Sequence, residues 1–141
     1  MFFPDTDYDY NVRVKLPLWI FLDDERFPAD NADFDKWTIC RSKFQLAEVV
    51  GYSGVPIRRM SFDHDLADTC SSTTGLACAH WLISLDLEDP GTVLDRDFEF
   101  YVHSQNPVGA ENIRALLKNY LEYREREIFT LPDQDSNPLQ S

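Results

Sequence analysis

The chain has 141 residues, the size of one ordinary domain and too few for two separate cores. Thirteen Lys+Arg against 25 Asp+Glu leave a formal charge of −12, which excludes a broad basic face for gripping nucleic-acid phosphates. Hydrophobic residues at 43% and aromatics at 13% supply a packed interior and exclude wholesale disorder.

Residues 1–15, with Asp5, Asp7, Asp9, Tyr8 and Tyr10, carry no clear period and read as an extended lead-in, with Val12–Leu16 as a candidate edge strand. Leu18-Trp19-Ile20-Phe21-Leu22 is a continuous apolar run cut off by Asp23-Asp24-Glu25, the pattern of a strand buried on both faces. Trp37–Cys40 is a second short β-rich run, and a helix is expected from about Ser42 to Val50. Gly51 and Gly54-Val55-Pro56 then break the chain. Ile57–Phe62 reads as a third strand, ended by Asp63-His64-Asp65. A polar loop, Ala67–Thr74, leads to a helix capped by Thr73 or Thr74, with Leu76, Ala79, Leu82 and Ile83 at helical spacing. Pro90-Gly91 marks a turn. Phe98–Val102 is a fourth strand, followed by His103-Ser104. Asn106-Pro107 has the form of an N-cap with proline at the first helical position. Ile113, Leu116, Leu117, Tyr120 and Leu121 give the stripe of a helix that docks on a sheet. The composition of residues 130–141 cannot repay the entropy of ordering and reads as a flexible tail, leaving residues 1–129 as a single domain.

Alternating strands and helices imply an α/β fold of three layers: a mostly parallel central sheet of four to five strands with helices on both faces. Three cysteines, Cys40, Cys70 and Cys78, match neither a disulfide framework nor a zinc site and read as reduced, partly buried thiols. The chain shows no basic n-region with a long apolar h-region, and no stretch approaches the roughly 20 apolar residues of a membrane span. A cytoplasmic protein without a membrane partner is expected.

In an open parallel sheet, ligands bind at the carboxyl ends of the strands. Reactive side chains fall there three times, some forty residues apart: Asp23-Asp24-Glu25-Arg26, Asp63-His64-Asp65 and His103-Ser104. Carboxylates converging on one edge raise one another's pKa unless a cation neutralises them, and a hard divalent ion, Mg²⁺ or Mn²⁺, suits oxygen ligands. Asp23, Asp24, Asp63 and Asp65 are the candidate metal ligands; taken alone, Asp65 or Glu25 is equally explained as a solvated turn residue. His64 and His103, beside these acids, are candidate general acids or bases, with Asp63 the third candidate catalytic residue. His80, on the helix after the third strand, reads as a packing residue or a partner to a backbone carbonyl. Ser104, Asn106 and Gly109 open a helix whose N-terminus can hold a phosphate, with Arg26 as a clamp; capping by Asn106, close packing at Gly109 and a salt bridge from Arg26 are the structural alternatives.

Three blocks, Leu22-Asp23-Asp24-Glu25-Arg26-x-Pro28, Ser61-Phe62-Asp63-His64-Asp65-Leu66 and Val102-His103-Ser104-x-Asn106-Pro107-x-Gly109-x-x-Asn112, together resemble the cyclic-phosphate processing receiver domains, and Gly75 also fits. The likeness runs from about Leu18 to Leu121. It implies a flavodoxin-like receiver fold with an acidic pocket for a divalent metal. In ordinary two-component receivers, paired acids after the first strand and an Asp after the third hold Mg²⁺, and that Asp accepts a phosphoryl group; Asp23, Asp24 and Asp63 match those places, and Ser104 matches a Ser or Thr after the fourth strand. The sequence departs from signalling receivers in carrying His64 and His103 and in lacking an obvious fifth strand ending in Lys. Those departures disfavour a phosphorelay.

The leading expectation is a metal-dependent phosphoesterase acting on a cyclic phosphate, either a cyclic nucleotide or a 2′,3′-cyclic RNA end. One alternative is a non-catalytic binder that sequesters a phosphorylated nucleotide in the same pocket. Another is an acidic interaction protein or nucleic-acid mimic using Asp30, Asp33, Asp35, Asp86, Glu88, Asp89, Asp95, Asp97 and Glu99. The expected partners are a small phosphorylated ligand and, on the last reading, a basic protein; extended duplex binding is not expected.

Overall fold

A computed structural model describes residues 14–29, 31–65 and 74–129. The expected lead-in before Val14, most of the 67–74 loop, Cys70 and the 130–141 tail lie outside the described residues.

The elements are β1 (Trp19–Leu22), β2 (Thr38–Cys40), α1 (Lys43–Ser53), β3 (Ile57–Phe62), α2 (Gly75–Glu88), β4 (Leu94–Val102) and α3 (Pro107–Arg124). The four strands form one sheet in the order β2-β1-β3-β4, and every pairing is parallel. This is the small α/β receiver-like architecture read from the sequence. Val14–Leu16 is irregular rather than a fifth strand.

The helix boundaries follow their caps. Ser42 Oγ accepts the Gln45 N–H, Thr74 Oγ1 accepts the Ala77 N–H, and Asn106 Oδ1 accepts the Gly109 N–H, each satisfying an orphan donor of the first turn. Gly51 does not break α1. The helix runs on to Ser53 and stops at Gly54, whose φ of 71° is open to glycine and costly for other residues.

Side-chain alternation sorts the sheet into two faces. Ile20 and Leu22 of β1, Met60 and Phe62 of β3 and Cys40 of β2 join one buried cluster with Leu46 and Val49 of α1, Cys78, Ala79 and Leu82 of α2, and Ile113, Leu117 and Tyr120 of α3. All three α-helices thus cover one face. The crossovers β2–β3 and β3–β4 run in the same direction across the sheet, so a common hand puts their helices on the same side. The β1–β2 connection runs the other way and carries no α-helix among its described residues. The third layer is therefore built of this connection, with a single 3₁₀ turn at Phe34–Lys36, where helices on both faces were expected. Beneath it, Trp37 meets Trp19 and Phe21 edge-on at 5.5 and 6.0 Å between ring centroids.

β4 begins four residues earlier than expected, at Leu94, and its register with β3 shifts between Ile57 and Arg59. The turn before it is tied down by Asp86, fully buried in α2. Asp86 Oδ1 accepts the N–H groups of Gly91, Val93 and Leu94, while Oδ2 accepts Tyr120 Oη at 2.6 Å and Arg124 at 2.7 Å. Asp86 therefore leaves the set of acids expected on the surface. A π-type turn, Glu125–Phe129, extends α3, and the Phe129 ring lies under the Arg96 and Arg124 guanidinium groups. His80 is exposed on α2, so the packing role expected for it does not hold.

Candidate functional site

The strand order reverses between β1 and β3, and the polar residues collect at the carboxyl ends of these strands and of β4. Three backbone hydrogen bonds explain which ones meet. The ladder continues one residue past each strand: Asp23 N–H donates to Cys40 C=O, Asp63 N–H to Leu22 C=O, and His103 N–H to Phe62 C=O. The period-two alternation of the strands therefore still governs Asp23, Asp63 and His103. They follow Phe21, Ser61 and Tyr101 onto the face away from the helices. One ligand atom from each of the three lies within 4.8 Å of the others.

Asp23 is fully buried and Asp63 is 2% exposed. Asp23 Oδ1 accepts the backbone N–H groups of Glu25 and Arg26 at 2.9 and 2.8 Å, closing the turn after β1. Its Oδ2 lies 2.9 Å from His103 Nε2 and 3.3 Å from Arg26 Nε. The same guanidinium comes within 3.7 Å of Asp63 Oδ2. The two carboxyls are pushed apart in acidity. Burial would raise that of Asp23, but the Arg26 and Glu25 N–H groups, His103 and the Arg26 charge outweigh it and hold it below the usual range. Burial and then the neighbouring Asp23 charge raise that of Asp63.

His103 is fixed on three sides. Its Nδ1 shares a hydrogen bond with Ser61 Oγ at 2.7 Å, its Nε2 faces Asp23, and its ring stacks on Phe21 at 4.4 Å with 7° between planes. Ser61 sits on β3 between β4 and β1, and its small side chain lets the imidazole lie across to Phe21. Arg41 donates to the Asp23 and Arg26 carbonyl oxygens and holds the turn from the β2 side. The sequence assigns no role to Phe21 or Arg41, and Ser61 enters there only as the first residue of the Ser61–Leu66 block. The available signal was Ser61 itself, a lone hydroxyl in the apolar run Met60–Phe62, two residues before Asp63 and on the same face.

The remaining candidates sit around this centre. Asp24 and Asp65 do not join the three-residue cluster. The Asp65 side chain is exposed, and its Oδ1 lies 2.9 Å from His64 Nδ1. The His64 ring rests against the start of α3, where a Cβ on Gly109 would lie 2.4 Å from His64 Cγ. Gly109 gives its N–H to the Asn106 cap, and Ser104 Oγ accepts the Asn106 N–H at 3.0 Å. The structural alternatives for Asn106 and Gly109 are thus realised, and the Arg26 salt bridges are formed. Gly75 is required too: a Cβ there would lie 1.9 Å from the Asp63 carbonyl oxygen.

A sequence profile described as the cyclic-phosphate processing receiver domain matches residues 18–119. The chain belongs to this family. The matched span holds every strand of the receiver domain, the Asp23–Asp63–His103 cluster and most of α3. No curated protein matched the chain, and no solved structure did. Among the described residues of this receiver domain, no helix is long and apolar enough to cross a membrane.

Two carboxylates and an imidazole whose far nitrogen is held by a hydroxyl form a donor set that fits a divalent cation, Mn²⁺ or Mg²⁺. The two buried carboxyls lie close together, which gives such a cation an electrostatic reason to bind.

Proposed function

We propose that this receiver domain is a metal-dependent phosphoesterase that opens a cyclic phosphate. The observation carrying this reading is the convergence of Asp23, Asp63 and His103 at the switch point of the sheet. These three residues would hold the cation, and the cation when bound would polarise the phosphoryl oxygens and lower the pKa of a water. Asp24 and Asp65 have no place in that ligand set.

The two histidines then divide the work. Both His103 nitrogens are engaged, by Ser61 and Asp23, which suits a ligand or an orienting group. Among the described residues, the hydrogen bond of His64 is made through Nδ1, to Asp65, which suits Nε2 to take up a proton and deliver it to the leaving oxygen. A carboxylate on Nδ1 fixes the Nδ1–H tautomer and steadies the imidazolium, so Nε2 is the nitrogen that takes up the proton and gives it back. Arg26 and the N-terminal turn of α3, with the Ser104 hydroxyl, supply positive potential for the non-bridging oxygens.

The test is turnover of cyclic nucleotides and of RNA bearing a 2′,3′-cyclic end, with Mg²⁺ or Mn²⁺. Asp63→Asn and His64→Ala are expected to lower kcat at least a hundredfold. Mn²⁺ at a hundred times its Kd is expected to stabilise the wild type by about 2.7 kcal/mol, seen as a rise in Tm that Asp63→Asn abolishes. No turnover across the panel, or full turnover in Asp63→Asn, overturns the proposal.

A further inference from the structure

The face of the sheet that lacks helices holds a cavity of about 430 Å³ that opens directly beside the acid cluster. His103 belongs to both, and Ser61, hydrogen-bonded to it, lines the cavity. Its other walls include Phe21 and Trp37, the Arg59 side chain and Tyr101, which stays 46% exposed. Arg59 is held by Glu99 at 2.9 Å and lies 4.3 Å over the Trp19 ring, so its donors are fixed in place. An acidic protein thus keeps several aromatic rings and an ordered guanidinium next to its reactive centre. The volume is that of a small-molecule pocket and exceeds what a phosphate alone would fill.

We infer that this cavity is the base subsite: it takes the nucleobase of a nucleotide whose cyclic phosphate lies at Asp23, Asp63 and His103. The inference rests on the phosphoesterase reading for the position of the phosphate. Three features select a nucleobase over an aliphatic or sugar group. Flat rings stack on any base, and the half-exposed Tyr101 offers an open ring face. Arg59 offers parallel N–H donors to the acceptors on a base edge. The cavity adjoins the cluster through His103 itself, so a base within it and a phosphate at the acids are neighbours, as they are in a nucleoside 2′,3′-cyclic phosphate. A free nucleotide and the last residue of an RNA share this chemistry.

The experiment compares adenosine and cytidine 2′,3′-cyclic monophosphates, methyl riboside 2,3-cyclic phosphate, which has no base, and a trinucleotide RNA with a 2′,3′-cyclic end. Binding is followed by tryptophan fluorescence and by calorimetry, and turnover by phosphate-ester analysis. Tyr101→Ala, a surface substitution, is expected to weaken nucleotide binding five- to a hundredfold and to leave the base-free ester unaffected; Tyr101→Phe is expected to restore binding. Equal affinity of the wild type for nucleotide and base-free ester, or no effect of Tyr101→Ala on nucleotide binding, overturns the base subsite even if every ester is hydrolysed. Nucleotide binding that depends on Tyr101 without any hydrolysis upholds the base subsite and fells the phosphoesterase reading. With the subsite upheld, tighter binding of the trinucleotide assigns an RNA terminus as the ligand, and tighter binding of the mononucleotide assigns a free nucleotide.

Discussion

Two glycines test how closely Asp63 and His64 are seated. At Gly75 a methyl group would meet the Asp63 backbone, which cannot swing aside as a side chain can. Gly75→Ala is therefore expected to destabilise the fold by about 1–3 kcal/mol, measured by urea unfolding, and to displace Asp63 enough to weaken metal binding. At Gly109 the obstacle is the His64 ring, which can rotate. Gly109→Ala is expected to cost less stability and to reduce kcat through a misplaced imidazole, with metal affinity preserved. The contrast between the two variants separates the Asp63 function from that of His64. At this scale the sequence was partly legible. Asp23, Asp63 and His103 could be picked out as acids and an imidazole following apolar strands. Choosing them over Asp24 and Asp65 required knowing that the backbone ladder runs one residue further, and that register is a property of the paired strands.

Between elements, the Asp86–Tyr120–Arg124 network ties α2, the start of β4 and α3 into one unit. Arg124 is 2% exposed and also donates to the Leu94 and Asp95 carbonyl oxygens. Burial would raise the Asp86 pKa, but the Tyr120 hydroxyl, the Leu94 and Val93 N–H groups and Arg124 hold it below the ordinary carboxylate value. A folded pKa below the unfolded one means stability that is fully present above about pH 4 and is lost as the pH falls through the folded value. The urea midpoint is expected to decline in that acid range. Asp86→Asn, which leaves Arg124 buried without its partner charge, is expected to cost about 3–5 kcal/mol at neutral pH and to remove part of the acid dependence. Nothing in the surrounding sequence marks Asp86 as buried, because its side-chain partners, Tyr120 and Arg124, lie some 34 and 38 residues away. The start of β4 was hidden for a related reason: Asp95-Arg96-Asp97 gives this edge strand a polar beginning, and propensity alone reads it as a turn. The caps at Thr74 and Asn106 were legible because capping is local chemistry, written within four residues.

For the molecule as a whole, two thiols report on global opening. Cys40 and Cys78 are fully buried on the helix-covered face, and burial pushes the Cys78 thiol up to about 11 and that of Cys40 higher still. At pH 8 both are expected to resist iodoacetamide in the native state and to react together in denaturant, read by peptide mass mapping. Reaction at Cys78 alone under native conditions would show that α2 opens separately from the sheet. The α/β class was readable because strand–helix alternation is a long-range pattern. The distribution of its layers was not, since the absence of a helix between β1 and β2 matters only once the strand order is known. That missing helix has an evolutionary consequence. The residues that would break a phosphate ester are anchored to hydrogen-bonded strands, whereas one wall of the adjoining cavity is a connection free to change length and composition. Pro28, Ala29, Asn31 and Asp33 of that connection can therefore reshape the cavity's outer wall while Asp63, His103, Arg59 and Tyr101 keep their places on the sheet.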